Sequence, residues 1–281
     1  MATWSATSET TLQMLTAWVA GRRQRQSPLC IGLQGGQGTG KSTLSQALCE
    51  RLEQHYSWRC CVLSLDDFYL GQEQRVALAA AVHPLLRTRG VPGTHDVQRG
   101  LQVMQAFHSA WPSEGVPLPR FSKAYDDRLP AEDESVLACR PDVVIFEGWC
   151  VGLPAQSLEA LHAPCNSLEA EEDQAGRWRH YVNQELAGPY AEWFSYLDDV
   201  VCLLAPDWES ICRWRAQQEE QTRSLSADPR AGMTPAQLSR FMQHYQRLSE
   251  WAELSLPQRA AVRLRVNVTH DWLPDVRWLA P

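Results

Sequence analysis

Gly35-Gly36-Gln37-Gly38-Thr39-Gly40-Lys41-Ser42 spells G-x-x-x-x-G-K-[ST], directly after the apolar run Leu29-Cys30-Ile31-Gly32-Leu33. A strand, a glycine-rich loop and then a helix is the setting that a phosphate-binding loop requires. The glycines let successive backbone N–H groups turn inward around a polyphosphate, and the helix N-terminus adds its positive dipole. In such a loop Lys41 reaches the β- and γ-phosphates and the Ser42 hydroxyl binds Mg²⁺, with Thr43 next in line. The rival for a glycine-rich turn is a dinucleotide site. Gly36-Gln37-Gly38 begins its G-x-G-x-x-G pattern, and Asp66-Asp67 lies about where a ribose-binding carboxylate is expected. Lys41 stands in place of the third glycine, however, where a long side chain obstructs close helix–strand packing. The Lys-Ser ending decides for a nucleoside triphosphate.

The chain of 281 residues is long enough to bury a full α/β core, and one domain with insertions is the economical reading. A net charge of −7, with Lys and Arg scattered, leaves no basic footprint for a nucleic-acid backbone. Nine cysteines occur without metal-ligand spacing, which points to a reducing compartment, and Cys30, Cys61 and Cys202 read as small core residues. The N-terminus has no basic stretch ahead of an apolar core, and no apolar run reaches membrane-spanning length. A soluble cytoplasmic protein is expected, with no membrane and no nucleic acid among its partners.

Leu12, Leu15, Trp18 and Val19 follow helical spacing near the N-terminus, and Leu44, Ala47, Leu48 and Leu52 do so from Gly40 to Ser57. Apolar strands are expected at Cys60–Leu65, Val143–Phe146, Val200–Leu204 and Arg263–Val268. Continuous apolar strands alternating with helices indicate a parallel sheet covered on both faces. The stretch from Leu70 to Arg140 is rich in Gly, Pro and charge and contains one expected helix, Asp96 to Trp111. A stretch that long inside a compact domain is usually functional. Leu161 to Gly176 is polar and acidic and reads as a surface loop. Thr234-Pro235-Ala236-Gln237 is a capping box that starts a helix burying Leu238, Phe241, Met242, Tyr245 and Leu248.

Ligands of open parallel sheets bind beyond the carboxyl ends of the strands, where Asp66, Asp67 and Glu147 are placed. Phosphoryl transfer needs a metal and a group that accepts or orients the attacking hydroxyl. Glu147, closing Val143–Phe146, has the position of a Walker B carboxylate that holds Mg²⁺ directly or through water, although acids also end strands without catalytic duty. The Asp66-Asp67 pair alone could be a helix cap or a solvated turn.

Ser64-Leu65-Asp66-Asp67-Phe68-Tyr69 resembles the S-x-D-x-F-Y element of uridine kinases, pantothenate kinases and phosphoribulokinases. In that group the first acidic position is the catalytic base, which is Asp66 here; Asp67 falls where those families vary. Arg89-Gly90-Val91-Pro92-Gly93-Thr94-His95-Asp96, Phe121-Ser122-Lys123-Ala124-Tyr125-Asp126-Asp127-Arg128, Glu147-Gly148-Trp149 and Arg213 to Glu219 resemble stretches of the D-glycerate 3-kinase family. So does Met233 to Tyr245, and the similarity runs from about Leu29 to Pro257. Family members often have a longer, Gly-containing segment between the counterparts of Lys123 and Arg128.

The resemblance implies a three-layer α/β P-loop kinase fold over residues 1–281. Its parts would be an N-terminal helix (1–27), a substrate-binding insertion (70–140) and a helical lid region (207–251). It implies ATP and Mg²⁺ as cofactors and D-glycerate as the small-molecule acceptor. Lys41 and Asp66 would be catalytic, and Asp67, Tyr69, Arg89, His95, Asp96, Lys123 and Arg128 would bind the acceptor. Each has a plainer alternative: Asp96 as a helix cap, His95 packed against it, the cations, Arg120 among them, as solvated surface. Trp149 reads as packing that shapes the site floor. Other acceptors in the same class are a nucleoside, pantothenate or a sugar phosphate. A regulatory nucleotide switch is the reading from another class, but the N-K-x-D element usual for guanine recognition is absent.

Overall fold

The computed structural model describes residues 5–23, 28–225 and 232–275. Parts of two expected segments, 1–4 and 24–27 of the N-terminal helix region and 226–231 of the lid region, lie outside the described residues. Helix α1 (Ala6–Arg22) starts where the Ser5 side chain accepts the Ser8 amide, and it buries Leu12, Leu15 and Val19. Strand β1 (Leu29–Gly35) runs through the glycine loop into α2 (Lys41–Tyr56), and β2 (Cys60–Ser64) follows. The long stretch after β2 holds α3 (Gln72–Ala81), α4 (Val97–His108), β3 (Val116–Leu118), β4 (Phe121–Ser122), β5 (Asp127–Arg128) and β6 (Ser135–Leu137). Within it β3 pairs with β6, and β4 with β5, both antiparallel. Strand β7 (Val143–Gly148) returns to the main sheet and leads to α5 (Ser167–Glu172), α6 (Arg177–Ala187) and α7 (Pro189–Phe194). Strand β8 (Asp199–Leu204), α8 (Trp208–Leu225), α9 (Pro235–Ser255), β9 (Val262–Val266) and β10 (Trp272–Pro274) complete the order.

The sheet runs β10-β9-β8-β1-β7-β2, so the strand that carries the phosphate-loop motif lies between β7 and β8. Every neighbouring pair is parallel except β9 with β10. The last strand was expected to continue to Val268. It ends earlier because the Asn267 side chain accepts the Thr269 and Asp271 amides (3.0 and 2.8 Å), turning the chain back into β10.

Alternation within the apolar runs separates two cores. Leu29, Ile31, Leu33, Val143 and Ile145 pack on the face covered by α1 and α2, whereas Cys30, Val144 and Phe146 pack on the opposite face with α4 and α7. Burying such a side chain contributes about 1.5–3 kcal/mol, which is why these strands show no polar alternation. Cys30, Cys61 and Cys202 are buried as expected. Among the described residues, no helix is long and apolar enough to cross a membrane.

Two local expectations change. The long stretch contains α3 as well as α4, and α3 buries the side chain of Arg75 rather than an apolar stripe. Leu161 to Gly176 is not a polar surface loop. Asn166 caps α5 by accepting the Glu169 amide, and Glu169 is fully buried. Arg247 grips both Glu169 oxygens (2.7 and 2.6 Å), and the Cys165 amide donates to one of them at 3.0 Å. Asp173, also buried, holds Arg179 at 3.0 Å and accepts the Trp178 amide at 2.8 Å. An acidic run read in isolation looks solvated; its cationic partner on α9 lies far away in sequence.

Breaking a buried pair strands a charge, whereas an exposed pair contributes little. Glu169→Ala should therefore lose about 3–5 kcal/mol in urea unfolding. Glu172→Ala, in the exposed pair with Arg240, should lose no more than about 1 kcal/mol. Equal losses would mean that burial does not distinguish them.

Candidate active site

The carboxyl ends of β1, β2 and β7 converge on a cleft of about 540 Å³, lined by Lys41, Ser42, Asp66, Lys123, Glu147 and Trp149 among others. Its floor begins with the loop after β1. Gly38 has φ +78°, and a Cβ there would come within 2.5 Å of the Trp214 Cβ, so only glycine lets α8 close onto the loop. The Thr39 hydroxyl donates to the Gly36 carbonyl at 2.8 Å and shapes the turn that ends at Lys41.

Parallel register sets Ser64 of β2 opposite Glu147 of β7. Glu147 shares its strand face with Val143 and Ile145, the face on which α2 packs, so Ser42 at the start of α2 meets it as well. Both hydroxyls donate to Glu147 Oε1, Ser42 at 3.0 Å and Ser64 at 2.9 Å. Glu147 Oε2 is buried and has no hydrogen-bond partner. A buried carboxylate oxygen left unmatched beside a hydroxyl fits a hard cation. One carboxylate and two hydroxyls cannot complete an Mg²⁺ shell alone, and the phosphates of a nucleotide on the loop would supply further oxygens.

Asp66 lies in a single 3₁₀ turn, Leu65–Phe68, that follows β2. Its Oδ1 accepts the Tyr69 hydroxyl at 2.9 Å and its Oδ2 accepts Lys123 Nζ at 2.6 Å. Desolvation in the cleft pushes this carboxyl up, but Lys123, Lys41 and the two hydrogen bonds more than reverse it and hold it down at about 2. Tyr69 is itself pinned, stacked on His95 at 4.4 Å and edge-on to Phe121 at 5.2 Å. His95 is buried, and its Nδ1 lies 2.5 Å from the Tyr190 hydroxyl, which in turn accepts the Gly93 amide at 3.1 Å. Burial, only partly opposed by Asp66, pushes His95 down to about 3, so it is neutral at physiological pH.

Lys123 reaches Asp66 from the β4–β5 hairpin, which is braced by charged pairs. Arg120 and the Phe121 amide hold Asp67 (3.0 and 3.3 Å), and Arg128 holds Asp96 at 2.8 Å. Asp126, between the two hairpin strands, pairs with buried Arg75 at 2.7 Å and with Arg89. Asp127 accepts the Gln72 amide at 3.0 Å.

The residues expected to serve the acceptor thus divide. Tyr69, Arg89 and Lys123 line the cleft, whereas Asp67, His95, Asp96 and Arg128 do not and are engaged in the bracing just described. Asp96 also caps α4 by accepting the Arg99 amide at 3.0 Å. In the loop, Gln37, Gly38, Lys41 and Ser42 line the cleft, with Gly35, Gly36, Thr39, Gly40 and Thr43 outside its lining. Trp149 lines the floor; its indole donates to Gly90 O at 3.1 Å and its carbonyl accepts Gln34 at 2.9 Å.

The expected lid region supplies the opposite wall, but its lining residues were not among the expected site residues: α8 and α9 contribute Arg215, Gln218, Phe241 and Tyr245. Arg215 pairs with Glu219 at 2.6 Å and lies 5.9 Å from the Phe241 ring. Phe241 and Tyr245 read as core in the helix pattern, and their spacing alone could not show that one end of the apolar stripe borders a cleft.

No protein-family model matches the chain. The chain is 34% identical over 233 residues to the uncharacterized kinase mug58 of Schizosaccharomyces pombe, a match that covers 78% of each chain. It is 31% identical over 226 residues to the chloroplastic D-glycerate 3-kinase of Arabidopsis thaliana, covering 78% of this chain and 46% of that one. The solved structure of D-glycerate 3-kinase from Cryptococcus neoformans superposes with a TM-score of 0.73 at 27% identity, covering 95% of this chain and 98% of that one.

Charge at Glu147 can be tested apart from turnover. Glu147→Gln keeps an oxygen for both serines and removes the negative charge. Added Mg²⁺ should increase the thermal stabilisation given by a nucleoside triphosphate in the wild type and should no longer do so in this variant. An undiminished Mg²⁺ effect in this variant would remove Glu147 from the cation site.

Proposed function

The chain belongs to the family of P-loop kinases that includes D-glycerate 3-kinase, and from that premise we propose that it transfers the γ-phosphoryl group of ATP to a hydroxyl of D-glycerate. The observation that carries this reading is the meeting of Lys41, Asp66 and Lys123 in one cleft. They are a cation for the transferred group, a carboxylate for the attacking hydroxyl and a cation for an acidic acceptor.

In this reading the loop amides and Lys41 hold the phosphates, and Lys41 neutralises charge that develops on the transferred group. Ser42 and Glu147 would hold Mg²⁺, which would offset the negative charge of the phosphates. Asp66 accepts the proton of the attacking hydroxyl, with Tyr69 keeping the carboxylate in orientation. The acceptor's carboxylate needs a counter-charge once it leaves water. Lys123 and Arg89 provide it from the insertion, and Arg215 faces the cleft from the α8–α9 wall, which serves as the lid. Arg128, expected to contact the acceptor, is instead assigned to holding the hairpin through Asp96. A neutral nucleoside or polyol would leave the cationic wall unmatched.

Purified protein should turn over ATP in the presence of D-glycerate and do so poorly with glycerol, which lacks the carboxylate. Lys41→Ala should abolish that turnover, and Asp66→Asn should keep ATP binding while losing roughly 10²-fold or more in kcat. A wild type that phosphorylates a neutral nucleoside or sugar far better than glycerate would overturn the glycerate assignment.

The pH dependence follows from the direction of the Asp66 shift. Its carboxyl is held at about 2 against an ordinary value of 3.8. The stability it contributes is complete above the ordinary value and is lost as pH falls through the folded one. Asp66 therefore stays ionised across neutral and mildly acidic pH. Any acid limb of kcat/KM in that range should survive in Asp66→Asn; its disappearance would show that Asp66 titrates higher.

A further inference from the structure

Both oxygens of Asp66 accept hydrogen bonds, Oδ1 from Tyr69 and Oδ2 from Lys123. Tyr69 is buried and held by ring contacts with His95 and Phe121 as well as by its bond to Asp66. Lys123 differs: its side chain is 64% exposed, at the end of a flexible stem, and such a pair is easily broken. The hairpin beneath it is anchored at Asp67, Asp96 and Asp126, so the ammonium can swing away without moving the backbone. Tyr69 lies against Oδ1, so a hydroxyl that is to pass its proton to Asp66 comes to Oδ2, where the Lys123 ammonium at 2.6 Å crowds the approach and competes for the oxygen's negative charge.

We propose that Lys123 is an acceptor-operated latch on Asp66: it covers the proton-accepting oxygen until the carboxylate of a hydroxy acid draws it off. This rests on the kinase reading of the cleft and adds a specificity device to it. An anionic acceptor opens the latch with the same charge that binds it, and the freed Oδ2 receives the hydroxyl. A neutral acceptor leaves the latch shut. Water is held off for the same reason. The reaction avoided is hydrolysis, in which water oxygen bonds to the γ-phosphorus as the bond to the β–γ bridging oxygen breaks. ADP leaves with that electron pair, and the proton of the water passes to Asp66. With the latch open and an acceptor in place, the hydroxyl oxygen takes the part of water.

The test is ATP hydrolysis by the full chain with Mg²⁺ and no acceptor, in wild type, Lys123→Met, Lys123→Arg, Asp66→Asn and the Lys123→Met/Asp66→Asn double variant. Lys123→Met should raise hydrolysis about tenfold or more, and Lys123→Arg should stay near wild type. The double variant should fall back to the level of Asp66→Asn, which ties the gain to the uncovered carboxylate. The preference in kcat/KM for glycerate over glycerol should shrink about tenfold in Lys123→Met. Thermal melts check folding, and the exposed position of Lys123 predicts little change there. Hydrolysis in Lys123→Met at the wild-type level, with only the KM for glycerate raised, would make Lys123 a plain substrate contact and sink the latch. The hydrolysis arm uses no acceptor, so it decides the latch even if wild type ignores glycerate. Failure with glycerate would overturn only the acceptor assignment.

Discussion

One carboxylate oxygen, Glu147 Oε1, ties two strand ends and a helix start together. It accepts Ser42 at the start of α2 and Ser64 at the end of β2 while its own residue closes β7. Those contacts depend on parallel register: Gln34 is level with Gly148 across one ladder, and Ser64 with Glu147 across the other. A slip of one residue would turn Glu147 into the opposite core, where no hydroxyl and no phosphate loop could meet it. The two-faced apolar packing that holds the register is therefore also what holds this carboxylate against the helix N-terminus.

The second layer of organisation is electrostatic. Between β2 and β7, α4 adds apolar residues to the core, but the hairpin that carries Lys123 is fixed by carboxylates, Asp67, Asp96, Asp126 and Asp127. Arg75 is the most buried cation of this set, and it also donates to the carbonyls of Leu70 and Asp126. Its terminal nitrogens are matched in this way, as a buried guanidinium requires, while its buried Nε has no hydrogen-bond partner. The outcome is a rigid base from which one lysine with an exposed stem projects over the proposed catalytic carboxylate. Rigid bracing and a loose tip have different physical origins, burial for the first and solvent for the second.

The phosphate loop, its flanking strand and helix and the acidic ends of β2 and β7 were legible in sequence because each depends on neighbours in the chain. A glycine at φ +78° and a helix N-terminus are local demands, and continuous apolar runs report two-sided burial directly. Helix α4 and its Asp96 cap were legible for the same reason. The acceptor side was harder. Arg128 and Lys123 belong to one short segment and carry the same charge, yet one is bound to Asp96 and the other overlies Asp66. No periodicity separates them, since antiparallel pairing of two-residue strands decides where each side chain goes.

Sequence by itself determined the order of elements, the nucleotide loop and the residue types offered at the strand ends, all consequences of local backbone preference and apolar pattern. Tertiary structure alone decided which charges are spent on structure and which face the cleft. It buried Glu169 against Arg247, returned β10 antiparallel along β9, and brought α8 and α9 across from Asp66 as a second wall. The physical reason is that the free energy of a charge depends on its solvation and on the partner it finds, and both are set by residues distant in the chain.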